Sequence, residues 1–122
     1  MSRLILEMGT GNDLYGGDYT KAACRAVQDA LHHSSLTLFK SCGYSHTDMR
    51  VKVTIAVQCP EKVDVDVVTA ELPRGNPEVC VVAGGLDVID SENDNLSVIA
   101  TAAIEAFLDI DPKDWRISGS GA

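Results

Sequence analysis

A glycine-rich stretch near the amino terminus carries the residues best suited to chemistry. It reads Met8-Gly9-Thr10-Gly11-Asn12-Asp13-Leu14-Tyr15-Gly16-Gly17-Asp18 and holds four of the chain's ten glycines. Because glycine permits positive φ and close approach of backbone to a ligand, the cluster predicts a binding loop. Within it, the Asp13 carboxylate can act as a general base, accept a ligand hydrogen bond or bind a metal. The alternative is that Asp13 only organises the loop as an Asx-turn.

Further ligand-binding groups are expected on the helix that is predicted to follow this loop. A helix amino terminus offers free N–H groups and a favourable dipole to an anion, and Lys21 and Arg25 lie one turn apart just inside it. These two cations suit a small carboxylate or phosphate, or else form a solvated helical face. The predicted ligand-binding residues are Gly9, Gly11, Asp13, Tyr15, Gly16, Lys21 and Arg25. The predicted catalytic residues are Asp13, Lys21 and Ser35, with Ser35 as nucleophile and Lys21 as its base.

The familiar nucleotide and metal motifs do not fit. Leu14 stands where the dinucleotide fingerprint requires glycine, and no Gly-Lys-Ser/Thr follows as in a phosphate-binding loop. The three histidines lack the i, i+4 spacing of helical metal ligands, and the four cysteines occur singly. We therefore predict no metal site, leave the cofactor undetermined, and expect the cysteines to be reduced and buried.

Hydrophobic periodicity indicates the elements that must position these residues. The predicted strands cover 3–8, 36–39, 49–59, 78–83 and 96–108, and the predicted helices cover 19–33, with Asp18 as its N-cap, and 60–72. Segment 60–72 is predicted to face inward with Val63, Val67 and Ala70, but its valines also alternate with aspartates as in a strand. Segment 96–108 alternates like a strand, and its alanines also allow a helix.

The order βαββαββ predicts an α+β fold: a two-layer sandwich of one mostly antiparallel sheet with two helices on one face. We expect a single domain over 1–122, strand 78–83 in the centre of the sheet, an exposed acidic loop over 87–95 and a flexible tail over 110–122. The face opposite the helices carries Thr54, Ala56, Gln58, Cys80 and Val82, which is only partly polar. Such a face is often covered by another subunit, so we predict a homo-oligomer.

Charge narrows the choice of partners. The net charge of −8 repels polyanions, so nucleic acid and anionic membranes are not expected partners. No apolar run reaches the ~20 residues of a membrane span, and the first residues do not resemble a signal peptide. We expect a cytoplasmic protein that binds a small molecule.

The stretch Gly9-Thr10-Gly11-Asn12-Asp13-Leu14-Tyr15-Gly16, followed by Asp18-Tyr19-Thr20-Lys21-Ala22-Ala23, resembles a small family of conserved hypothetical proteins from bacteria and plants with the signature GxGxDxHG. The likeness covers about the first 36 residues and continues loosely through Gly84-Gly85-Leu86. Tyr15 stands at the histidine of the signature, so no imidazole role carries over. The family has no assigned activity to import. More distantly, the element order is similar to one repeat of the ring-opening amidohydrolases, which act on cyclic ureides with a serine and lysine pair.

Two functional hypotheses follow. The first is a hydrolase that acts on a small cyclic amide through Asp13, Lys21 and Ser35. The second is a non-catalytic, oligomeric binder of a small polar or anionic ligand, or an accessory subunit of a larger enzyme. A purely structural role would require the glycine-rich stretch to be buried in a contact between subunits, with no cavity beside it.

Overall fold

The computed structural model describes residues 2–33, 50–72 and 76–108. The predicted strand 36–39, Ser35 and the predicted tail 110–122 lie outside these residues. The described elements are β1 (Ser2–Asp13), α1 (Tyr19–His33), β2 (Arg50–Val57), a 3-10 turn (Pro60–Lys62), α2 (Val65–Thr69), β3 (Asn76–Ala83), β4 (Leu86–Asp90) and β5 (Asn95–Leu108).

The sheet is built around β5, the longest strand described. It pairs antiparallel with β1 on one side and with β2 and β4 on the other, and β3 pairs in parallel with the far side of β2. Helix α1 packs on β1 and β5, and α2 packs on α1 and β3. This arrangement confirms the predicted two-layer α+β sandwich, with mostly antiparallel pairing and both helices on one face.

Helix α1 has the bounds that the sequence predicts. It begins after Asp18, whose side-chain Oδ1 accepts a hydrogen bond from the Lys21 backbone N–H at 3.0 Å, so Asp18 is the N-cap. The face it turns to the sheet is made of small, fully buried residues, chiefly Ala22, Ala26 and Ala30. Strand β2 likewise follows its predicted alternation, with Val51, Val53, Ile55 and Val57 buried.

The second half of the chain departs from prediction in three places. Segment 60–72 is a 3-10 turn followed by a five-residue helix, because the Asp64 side chain accepts from the Asp66 and Val67 N–H groups and starts a new helix there. Val63 is buried as predicted, but Val68 is the buried residue of α2 and Val67 is exposed. Strand β4 occupies part of the predicted acidic loop.

The position of β3 was also predicted wrongly. It lies at the end of the described strand order and not in the centre, although its residues are apolar on both faces. Val79 and Val81 pack on the core beneath the helices, whereas Cys80 and Val82 are exposed on the opposite face. The apolar residues on both faces of β3 therefore do not indicate a central strand. One face packs on the core, and no described element covers the other. None of the described helices is long and apolar enough to span a membrane.

Candidate functional site

The glycine-rich stretch is strand for half its length, and this corrects the prediction of a loop from Gly9 onward. Strand β1 runs to Asp13, with Gly9 and Gly11 turned towards α1. A Cβ on Gly11 would lie 2.2 Å from the Ala26 backbone nitrogen, and one on Gly9 would lie 2.4 Å from that of Ala30. These glycines therefore allow the backbone of α1 to pack directly against β1.

The loop proper covers residues 14–18 and is held in place by the start of β5. Gly16, at φ +96°, donates its N–H to Asn95 Oδ1 at 3.2 Å. Asn95 Nδ2 and Ser97 Oγ both donate to the Leu14 carbonyl at 2.8 Å. Tyr15, predicted to bind ligand, projects outward and is 80% exposed. The loop is thus fixed at its base, with an aromatic side chain at its tip.

Asp13 is buried, and both of its carboxylate oxygens are occupied. It is 4% exposed, and Oδ2 accepts the Asp18 N–H at 2.8 Å. Oδ1 lies 3.6 Å from Nη1 of Arg25, and the same nitrogen donates to the Asn12 carbonyl at 2.6 Å. Asp13 therefore closes the loop onto the start of α1. This contact resembles the alternative considered above, in which Asp13 only organises the loop.

The amino terminus of α1 already faces two carboxylates of the chain itself. Asp18 occupies the Lys21 N–H, and Asp13 occupies the N–H of Asp18. Two negative charges therefore stand where the sequence suggested an anion cradle. An incoming anion would be repelled by both, whereas a neutral ligand or a hydrogen-bond donor would not.

Lys21 and Arg25 share one surface, as the sequence suggested. Both line a shallow groove of about 410 Å³ on the outer face of α1, together with thiol, amide, acidic and histidine side chains: Cys24, Gln28, Asp29, His32 and Glu71. Arg25 and Asp29 also cover the free edge of β1, since Asp29 Oδ2 accepts the Thr10 N–H at 2.9 Å. The groove is therefore of mixed charge, and Arg25 links it to Asp13.

A second carboxylate, Asp87, joins Asp13 beneath α1, and sequence reasoning missed it. Asp13 of β1 and Asp87 of β4 both pair with Val98 of β5, one from each side. At the spacing of neighbouring strands, their Cα atoms lie about 10 Å apart. Asp87 had been assigned to an exposed loop. The apolar pattern Leu86, Val88, Ile89 after Gly84-Gly85 was the available signal for a strand.

Asp87 is only half satisfied. Its Oδ2 accepts the hydroxyl of Tyr19, a residue that is 4% exposed. Its Oδ1 is buried and has no hydrogen-bond partner among the described residues. The hydrogen bonds of Tyr19 with Asp87 and then with Cys59, together with burial, raise the tyrosine pKa well above its usual value of 10.0. Tyr19 therefore keeps its proton at neutral pH and donates it to Asp87.

We call Asp13, Asp18, Tyr19 and Asp87, arranged around Val98, the strand-end site. It lies at the edge where β1, β2 and β3 all finish and where α1 begins. In open α/β sheets ligands bind outside the carboxyl ends of the strands, and in this mostly antiparallel sheet β1, β2 and β3 likewise end on the same side. Among residues 2–33, 50–72 and 76–108, no group of three or more histidine, cysteine or acidic side chains is arranged to hold a metal ion.

The cysteines were expected to be reduced and buried. Cys24, Cys59 and Cys80 are free thiols. Cys24 and Cys59 are partly buried, and burial raises the pKa of the Cys24 thiol. Cys80 is exposed, which contradicts the predicted burial, because it lies on the sheet face opposite the helices.

Comparisons with known proteins give a family and a fold. The profile of the conserved hypothetical protein family Lin0512_fam matches residues 3–106, so the chain belongs to that family. The crystal structure of an FtsZ-like protein of unknown function from Nostoc punctiforme PCC 73102 is similar, with 36% identity and a TM-score of 0.79 over 89% of this chain and 97% of that one. A search of curated proteins finds no significant match. Membership of a conserved hypothetical family, as the sequence predicted, is thereby confirmed.

Proposed function

We propose that this member of the Lin0512_fam family is a non-catalytic protein that binds a small polar ligand at the strand-end site. The observation that carries the proposal is the buried Asp87 Oδ1, an acceptor that no described residue satisfies. A buried polar atom left without a hydrogen bond costs about 1–3 kcal/mol, and interior polar groups are nearly always paired. A ligand N–H or O–H directed at Asp87 recovers that cost.

The charge around the site selects the class of ligand. Asp13, Asp18 and Asp87 place three carboxylates near one another, and the chain as a whole carries −8. This favours a neutral ligand that offers hydrogen-bond donors over the anion that the sequence also allowed. A small amide or cyclic ureide has this chemistry, since each N–H can donate to a carboxylate oxygen.

The geometry supports binding better than turnover. A general base needs an oxygen free to accept a proton within hydrogen-bonding reach of the substrate. Both oxygens of Asp13 are engaged, and the raised pKa of Tyr19 disfavours the phenolate that would serve as a base. Asp87 Oδ1 is the free oxygen of the site, and we assign it to the ligand as a hydrogen-bond acceptor. The site thus offers an acceptor and a rigid frame, and its described residues hold no activated nucleophile.

A hydrolase is the second candidate, and one observation favours it. Lys21 is exposed and lines the outer groove of α1, and Ser35 follows α1 closely in the chain. A serine and lysine pair is what the likeness to ring-opening amidohydrolases implies. Since Ser35 lies outside the described residues, this candidate rests on Lys21 alone. It predicts that Ser35→Ala abolishes ring opening of a cyclic ureide.

Calorimetric titration with a neutral cyclic ureide such as hydantoin tests the proposal, with product analysis of the same sample. Asp87→Asn is expected to weaken binding about tenfold or more, because a hydrogen bond to a charged acceptor contributes about 1.5–3 kcal/mol. Asp94→Asn, an equal loss of charge in the exposed turn between β4 and β5, is the matched control and leaves binding unchanged. Equal binding by both variants, or formation of a ring-opened product, would contradict the proposal.

A further inference from the structure

The face of the sheet opposite the helices carries five of the ten exposed large apolar side chains of the described residues. We call it the open face. Leu6 and Met8 of β1, Val82 of β3, and Leu86 and Val88 of β4 lie on it, and each leaves 41–66% of its surface exposed. No element of the described ranges covers it. Single exposed apolar residues are ordinary, but five on one face of a sheet indicate a contact surface.

The middle of the open face carries no charge. The sheet register aligns Met8, Ala103, Thr54 and Cys80 in one row across four strands. The next row holds two threonines, an alanine and Val82. All eight side chains of these two rows are uncharged, and only Met8 and Val82 are large. Another sheet can therefore approach it closely without burying an unpaired charge.

Charged residues gather at one end of the open face and include both signs. Arg3 pairs with Glu105 at 3.3 Å, and Arg50 lies 3.9 Å from Glu78, with Lys52 between the two acids in the register. With Asp90 at the end of β4, the open face carries three basic and three acidic side chains, in a chain of net charge −8. Two copies that meet through this face therefore bring together surfaces without net charge.

We propose that a second copy of this chain packs on the open face, sheet against sheet. Four strands spaced ~4.8 Å apart and some nine residues of β5 give a face with a projected area of roughly 600 Å². Stable interfaces bury about 600–1,000 Å² on each partner, so this face is large enough. The end of the open face that carries both basic and acidic side chains can contact the same end of a second copy about a twofold axis. Each basic side chain then faces an acidic one. This inference does not depend on ligand binding.

Sedimentation velocity of the full chain over a range of concentrations tests the inference, with Val82→Glu and Val67→Glu as matched variants. The two valines are 41% and 45% exposed, Val82 on the open face and Val67 on α2. The wild type and Val67→Glu are expected to sediment at a multiple of the 13.0 kDa chain mass, and Val82→Glu at the chain mass with unchanged circular dichroism. A wild type that stays at 13.0 kDa, or equal behaviour of the two variants, overturns the inference.

A second readout needs no substitution on the interface. Cys80 lies on the open face and Cys24 on the outer side of α1. If copies pack on the open face, alkylation of Cys80 slows as protein concentration rises, whereas alkylation of Cys24 does not. Equal rates for Cys80 at low and high concentration would overturn the inference even if Val82→Glu failed to fold.

Discussion

Replacement of Gly11 by alanine tests why this glycine is there. The added Cβ would lie 2.2 Å from the Ala26 nitrogen and 2.4 Å from the Ala22 carbonyl oxygen, where ordinary contact begins at 3.4 Å. Both atoms belong to the α1 backbone, so no side-chain rotation relieves the clash. Helix α1 must withdraw by about 1.2 Å, which opens a gap over the buried alanines that join it to the sheet.

The cost follows from that displacement. Overpacking a well-filled core costs about 1–3 kcal/mol, and a gap of about 1 Å forfeits up to half of each contact along the helix. We expect a loss of about 3 kcal/mol or more, which lowers the midpoint of thermal unfolding by about 12 °C in a domain of this size. Truncation of Ala26 to glycine does not rescue the variant, since the clash involves its backbone nitrogen.

Gly16→Ala is the matched control. At Gly16 an added Cβ meets nothing nearer than Asp13 Oδ2 at 3.9 Å, and the only strain is φ +96°. That strain costs about 1–2 kcal/mol. The midpoint of thermal unfolding, followed by circular dichroism, should therefore be lower for Gly11→Ala than for Gly16→Ala. If Gly11→Ala unfolded within about 3 °C of the wild type, close packing of α1 would not explain this glycine.

Two further predictions concern the polar groups of the strand-end site. Asp13→Ala leaves the Asp18 N–H without its acceptor and removes the carboxylate that lies 3.6 Å from Arg25. We expect it to lower the free energy of unfolding by about 1–3 kcal/mol in urea titrations, whereas Glu92→Ala in the exposed turn should change that free energy by less than about 0.5 kcal/mol. Equal values for the two variants would contradict the loop-closing role of Asp13. Because the pKa of Tyr19 is raised on folding, its contribution to stability is complete below pH 10 and is lost as the pH rises above that value, so the wild type should lose stability there more steeply than Tyr19→Phe. Parallel profiles of the two proteins above pH 10 would show that Tyr19 is not held protonated.

The sequence predicted those elements of the fold whose local residue pattern is compatible with only one kind of secondary structure. Helix α1 has an apolar stripe and an N-capping aspartate, and β2 has strict alternation, so their bounds and buried faces could be read directly. The alanines of segment 96–108 fitted a helix as well as a strand. Only the pairing of β5 with three neighbours decides for the strand.

The parts that sequence did not predict depend on contacts between distant segments. Glycine in a loop and glycine under a helix look alike in sequence, so the role of Gly9 and Gly11 became visible only when Ala26 and Ala30 were found above them. Asp87 looked solvated because its neighbours 90–94 are polar, whereas pairing with Val98 turns it beneath α1. The sequence predicts Asp13 as a site residue, and only the folded chain shows that its carboxylate contacts Asp18 and Arg25.

The most direct test of the central claim is a map of backbone amide chemical shifts as hydantoin is added to the uniformly labelled protein. A ligand that donates to Asp87 should move the amides of residues 13–19 and 86–88 most, in a saturable manner, and should be recovered unchanged. Shifts concentrated along the outer groove of α1, or recovery of a ring-opened product, would contradict binding without turnover at the strand-end site.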